Sequence, residues 1–304
     1  MVSGLSWLNP LTWPIEPFVL LGVELAAILY LWGARRKPGQ KLPLPRGGRV
    51  GVGARNAARW RAVAFWSGLA SILLALDTPL ESLARQLFWA HMTQHLLLIM
   101  VAAPLLVLGA PWLQIWRGLP LAIRRPLART IVKHPALKIP RKVLAWLTAP
   151  IGAWVISSGN LWFWHWPAAY DLTLRNHAVH HLEHGLFLGL GILFWAQVID
   201  AYPFRARLSQ FKRVVYVFTA TIQAWGLAAL LAFATAPFYA YASMSSRPGG
   251  ISALTDQVFG GGIMWVPGSI TYSIVFIVCL SLWFRDEDQR AAAYSRLQIG
   301  VTAK

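Results

Sequence analysis

The stretch His91-Met92-Thr93-Gln94-His95-Leu96-Leu97-Leu98-Ile99-Met100-Val101-Ala102-Ala103-Pro104-Leu105-Leu106-Val107-Leu108-Gly109 decides the fold. Residues 96–109 carry no charged side chain. With the residues just before His91, the apolar segment 86–109 reaches the length of about 20 residues that a helix needs to span a bilayer. Two histidines open this segment. Histidine is costly in a membrane, so such a pair points to metal binding, proton handling or haem ligation. At a spacing of four, His91 and His95 share one helix face and can present two imidazoles to one ion.

A second stretch repeats the arrangement. His177-Ala178-Val179-His180-His181-Leu182-Glu183-His184 opens another apolar segment, and His180 and His184 are again four apart. Together the two stretches hold six of the eight histidines.

Seven apolar segments are predicted to span, near 15–33, 60–77, 86–109, 143–164, 181–200, 214–235 and 262–284. The expectation is an all-α integral membrane bundle of seven helices forming one domain over residues 1–304. The N-terminus lacks a basic region of the signal-peptide type, so the first span is expected to stay in place. Composition agrees: 57% of residues are hydrophobic, 13% are charged, and 17 are tryptophan, the residue of interfacial belts. Cys279 is the single cysteine, which excludes an intrachain disulfide or a cysteine-based metal site.

The formal charge of +17 follows topology. Of 28 basic residues, 25 fall in alternate loops and the tail: 34–61 (with Arg35, Arg36, Lys37 and Arg46), 117–142 (with Arg124, Arg125, Lys133 and Lys138), 201–213 (Arg205, Arg207, Lys212 and Arg213) and Arg285 to Lys304. Arg85, Arg175 and Arg247 lie in the intervening loops. The positive-inside rule then places the N-terminus outside and the C-terminus in the cytoplasm. The basic loops are suited to anionic membrane lipid. A nucleic-acid partner is excluded, since no basic face is interleaved with aromatics.

This topology puts seven of the eight histidines at one depth on the outer side, from three spans, with only His134 cytoplasmic. His91, His95, His165, His180 and His184 are the first candidates for metal ligands. His177, His181, Met264 and Asp256 form a second tier. Met92 neighbours His91, points about 100° away around the helix, and reads as packing. Met244 lies in the outer loop. Glu183 reads as an acceptor for a ligand's ring N–H or as an interfacial carboxylate. Asp256 reads as another candidate orienter of a ligand or, equally, as a solvated loop residue or helix cap. Glu24, mid-span, and Asp77, at a span end, carry no assigned role. Pro104, Pro111 and Pro150 are expected to bend or end helices.

Further stretches carry a resemblance. The His91–His95 run continues into Ala103-Pro104-Leu105-Leu106-Val107-Leu108-Gly109-Ala110-Pro111. Trp164-His165-Trp166-Pro167-Ala168-Ala169-Tyr170-Asp171 follows, then His180-His181-Leu182-Glu183-His184 with Phe194-Trp195, then Asp256-Gln257 with Gly260-Gly261 and Met264-Trp265. In this order, from about residue 60 to 284, the chain resembles the multi-span CtaG family of cytochrome c oxidase assembly factors. The resemblance implies a protein of the bacterial plasma (inner) membrane that helps build haem–copper oxidase. It also implies copper handling at the outer face, with His91, His95, His165, His180, His184 and Asp256 as the matching polar positions. Oxidase subunits and a periplasmic copper chaperone are the implied partners, and no bond-making catalysis is implied.

Rival readings use the same histidines. A membrane di-iron oxygenase fits His91-x-x-x-His95 and His177-x-x-His180-His181, but a third histidine box is missing and the expected side is wrong. A b-type cytochrome needs two axial histidines on different spans. A copper or proton transporter with Glu24 as relay lacks a second intramembrane carboxylate. A retinal photoreceptor lacks the lysine in the last span.

Overall fold

The computed structural model describes residues 13–36, 52–201, 206–243 and 248–302. Lys37, Arg46, Arg205, Met244, Arg247 and Lys304 lie outside the described residues. The described chain is helical, without a sheet. In order it forms α1 (Pro17–Arg35), α2 (Val52–Leu76), α3 (Pro79–Ala84), α4 (Phe88–Leu96), a π segment (Leu97–Ala102) and α5 (Ala103–Gly109). There follow α6 (Trp112–Gly118), α7 (Leu121–Lys133), α8 (Lys138–Leu147), α9 (Pro150–Trp164), α10 (Pro167–Arg175), α11 (His177–Trp195), α12 (Gln210–Ala232) and α13 (Ala253–Thr302).

Four stretches are long and apolar enough to cross a membrane: Pro17–Arg35, Phe88–Gly109, Gln210–Ala232 and Ala253–Arg296. The other three expected segments are also helical, each with a feature that weakens it as a span. α2 carries Arg59 and Arg61, α9 has only 15 residues, and α11 opens on its histidines. Large apolar side chains such as Phe18, Ile151, Phe233 and Val266 face outward, which suits hydrocarbon surroundings.

Proline sets several helix starts. Pro17, Pro79, Pro150 and Pro167 each stand at the first helical position, where the missing N–H is no loss. Pro150 therefore begins α9, and Thr148 and Ala149 divide the expected 143–164 segment into α8 and α9. After α5, Ala110 takes a left-handed conformation (φ 44°) and Pro111 stops continuation.

Pro104 has a subtler effect. It cannot donate to the carbonyl of Met100 four residues back. The preceding turn widens into the π segment, and the Ala103 N–H reaches Leu98 instead of Ile99. Two carbonyls are released, and neighbouring helices satisfy both. Trp195 Nε1 of α11 donates to Ile99 O at 2.7 Å, and Thr271 Oγ1 of α13 donates to Met100 O at 3.1 Å. The irregularity thus ties the α4–α5 helix to α11 and α13.

α12 runs along α13, α13 along α4, and α2 along α5. α11 packs against α9, α5 and the π segment. α4 and α11, which carry the paired histidines, are thereby held side by side in the interior. Beside them Phe88, Met92, Tyr170, Leu227, Leu231, Tyr239 and Tyr241 form a buried aromatic cluster.

Candidate metal centre

The i,i+4 spacing works as the sequence implies. His91 and His95 of α4 face His184 of α11, with ring centroids 5.4 Å apart in both cases. Between them stands Glu183, fully buried, its Oε2 3.3 Å from His91 Nε2 and its Oε1 3.5 Å from His95 Nε2. One donor atom from each of His91, His95, Glu183 and His184 lies within 4.8 Å of the others. Glu183 therefore belongs among the candidate donors themselves.

A second donor group shares His184. It adds His180, whose ring lies 4.2 Å from that of His184, and Glu81, whose Oε1 is 3.8 Å from His180 Nδ1. Glu81 comes from the short α3. Thr78, its N-cap, accepts from Leu80 N, and Glu81 turns inward. Gln94 Nε2 donates to Glu81 Oε2 at 2.7 Å, and Arg85 Nε donates to Oε1 at 3.0 Å. Burial pushes the Glu81 carboxyl up. His180, the Gln94 hydrogen bond and Arg85 outweigh it and hold the group below its ordinary range.

A hydrogen-bond chain assigns the tautomer of His91. Tyr241 OH donates to Ala84 O at 2.5 Å, and that carbonyl can only accept. Tyr170 OH lies 3.3 Å from Tyr241 OH and 2.7 Å from His91 Nδ1. With every donor running toward the carbonyl, His91 Nδ1–H donates to Tyr170, and His91 Nε2 turns a lone pair toward Glu183. Burial pushes both phenols up, so they remain protonated links in this chain.

The centre leaves several buried atoms without a hydrogen-bond partner: His91 Nε2, both nitrogens of His95, His184 Nε2 and both oxygens of Glu183. Buried polar atoms are nearly always paired, and an isolated buried carboxylate is strongly unfavourable. Imidazole nitrogens and a carboxyl group that converge without hydrogen-bond partners suit a cation. Imidazole nitrogen with carboxylate oxygen fits copper, zinc, iron or nickel.

The other candidates fall elsewhere. His165 ends α9 with its ring 6.2 Å from that of His95 and turned to Met92. His177 and His181 join an outer group. Glu16 Oε2 is 3.3 Å from His181 Nε2, and Arg85 bridges Glu16 Oε1 and His177 Nε2 at 3.0 Å each. The guanidinium there already supplies the positive charge. Asp256 caps α4: fully buried, its oxygens accept from the backbone N–H groups of Phe88 and Trp89 at 2.8 and 3.0 Å, fixing the start of that helix. Met264 packs against the aromatic cluster and lines a cavity together with His95 and His165. Asp77 accepts from the Glu16 N–H at 2.7 Å, and Glu24 is exposed on α1.

Sequence reasoning passed over Glu81, Gln94, Tyr170 and Tyr241 as parts of the centre. Glu81 follows Thr78 by three residues, the spacing of an ordinary capping box. The available signal was scarcity: only 11 residues are acidic, and Glu81 and Glu183 sit at the depth of the histidines.

Fold and centre define the class: an all-helical membrane protein with a buried histidine–carboxylate donor set between its helices. The chain belongs to the cytochrome c oxidase caa3 assembly factor family, whose model matches residues 28–286. It is also similar to uncharacterized proteins of Mycobacterium bovis and Mycobacterium tuberculosis, each 28% identical over 240 residues, or 77% of this chain and 35% of the relative. An uncharacterized protein of Mycobacterium leprae is 25% identical over 242 residues, 76% of this chain and 35% of its own length. The chain thus spans about a third of the length of the curated relatives it matches. No solved structure matches it.

Proposed function

We propose that this assembly factor holds copper as cargo at the His91–His95–Glu183–His184 donor set and passes it to a haem–copper oxidase subunit. The observation that carries the reading is the convergence of buried donor atoms without hydrogen-bond partners from α4 and α11. The Glu81–His180 pair shares His184 and offers a neighbouring position through which an ion exchanges ligands. Transfer needs no bond-making catalysis, and we assign none. A periplasmic copper chaperone is the proposed supplier.

The alternation of basic loops supports seven spans in a bacterial plasma membrane, with the N-terminus outside and the centre near the outer face. The two carboxylates favour a second reading, a resident harder ion such as iron.

Metal analysis and an optical spectrum of the detergent-purified protein test the proposal, beside a His91→Ala/His95→Ala variant. Copper bound by the parent and lost from the variant, with oxidase activity lost in a complemented null strain, is the expected result. Full oxidase activity from the variant at limiting copper overturns it. Bound iron moves the assignment to the second reading, and a Soret band to a cytochrome.

A further inference from the structure

The donors around His165 differ in kind from those of the His–Glu centre. His165 Nδ1 lies 2.7 Å from the carbonyl of Leu161, four residues earlier. A carbonyl only accepts, so the ring carries its proton on Nδ1 and presents a lone pair at Nε2. The residue is fixed from a second side, because its own carbonyl accepts from Tyr239 OH at 3.1 Å. At 3.3 Å from Nε2 lies Sδ of Met92. Both side chains are buried, His165 to 6% and Met92 to 1% exposure.

A thioether has no proton to give. Two lone-pair donors therefore face each other at contact distance. The ordinary favourable contact of methionine with an aromatic ring holds sulfur about 5 Å from the ring. Here the sulfur meets the ring nitrogen itself. Two donors that share one ion at bond lengths of about 2.0–2.3 Å lie roughly 3 to 4.3 Å apart, which includes the observed separation. A cavity of about 80 Å³ opens beside the pair. Met92, Met100, Met264, His95 and His165 all line it. Three of the five methionines of the chain thus border one cavity.

We propose that His165 and Met92 form a second metal site, selective for a soft monovalent cation, Cu(I). Thioether sulfur selects Cu(I), whereas imidazole with carboxylate accepts harder divalent ions. The chain therefore offers two sites of different softness. His95 borders both, being a donor of the His–Glu centre and part of the cavity wall. Met264 borders the same cavity and packs against the cluster that holds Met92. The inference rests on the copper-handling function proposed above.

The test is X-ray absorption at the copper edge on the full chain in detergent, loaded with Cu(I) under anaerobic reducing conditions. Stoichiometry is read by competition with a Cu(I) chelator. The parent is expected to show copper–sulfur scattering. Met92→Leu, a volume-conserving change, is expected to lose that scattering and one equivalent of Cu(I) while retaining Zn(II) at the His–Glu centre. His91→Ala/His184→Ala is expected to lose the other equivalent and keep the sulfur signal. Nitrogen- and oxygen-only scattering in the parent overturns the second site and leaves the first standing. Sulfur scattering that survives in Met92→Leu overturns the assignment to this pair. A parent that binds no copper overturns both sites.

Discussion

The phenol of Tyr170 lies 2.7 Å from Nδ1 of His91, and the chain continues through Tyr241 to the carbonyl of Ala84. Helix α10 thereby sets which nitrogen of a histidine on α4 is available to an ion. Removing the Tyr170 hydroxyl leaves the Nδ1–H buried without its acceptor. Tyr170→Phe is expected to weaken metal binding about 10- to 100-fold, the usual consequence of losing a ligand's orienting partner. Chelator competition on purified protein measures this. Unchanged affinity would remove the phenol from the centre.

Glu183 separates the metal-free and metal-bound states. Without an ion, its buried carboxyl group stands between His91 and His95. Glu183→Gln keeps the shape and removes the anionic ligand form. The metal-free variant is expected to be about as stable as the parent, since an amide of the same size takes the place of a buried carboxyl group. Its metal affinity is expected to fall. Thermal unfolding with and without metal reads both effects, and a variant destabilised in the metal-free state would show that Glu183 is a structural ion-pair partner.

The shift at Glu81 predicts an acid limb. Its carboxyl is held below its ordinary value of 4.5 by His180, Gln94 and Arg85 against the opposing effect of burial. A carboxyl depressed in the folded state contributes stability above its unfolded value, and that contribution is lost as pH falls through the folded value. The stability of the parent is thus expected to decline below about pH 4.5. Glu81→Gln is expected to be less stable near neutral pH and to show a shallower decline in acid. Detergent-solubilised unfolding at a series of pH values checks the difference in slope.

Much of this centre was legible because two helical pairs obey the period of the helix. His91 with His95 and His180 with His184 needed only the spacing and a common depth. The rest depended on contacts between distant segments. Asp256 caps α4 across 168 residues of sequence, and nothing local distinguishes that from a solvated loop carboxylate. Met92 points away from the His91 face, as the helix requires, yet that direction leads to His165. The π segment follows from Pro104, but its cost depends on Trp195 and Thr271 arriving from other helices. Local periodicity reveals faces, whereas long-range packing decides what each face meets.

The crossing of α1 and α6 supplies a stability prediction with an internal control. A Cβ added at Gly33 would stand 1.7 Å from the carbonyl oxygen of Gln114, and one at Gly118 would stand 2.2 Å from that of Leu29. Each obstacle is backbone, so no side chain can move aside. Small residues at both positions let the two helices touch. Gly33→Ala must therefore push α1 outward, with an expected loss of about 1–3 kcal/mol. Gly22 lies on the same helix with nothing within 4 Å of its added Cβ. Gly22→Ala is expected to be neutral or to stabilise by up to about 1 kcal/mol, the helix-propensity gain. Because Glu16 at the start of α1 meets Arg85 and His181, displacement of α1 also loosens the outer group. Thermal unfolding of the two variants side by side tests the crossing, and equal stability of Gly33→Ala and Gly22→Ala would show that α1 does not dock on α6.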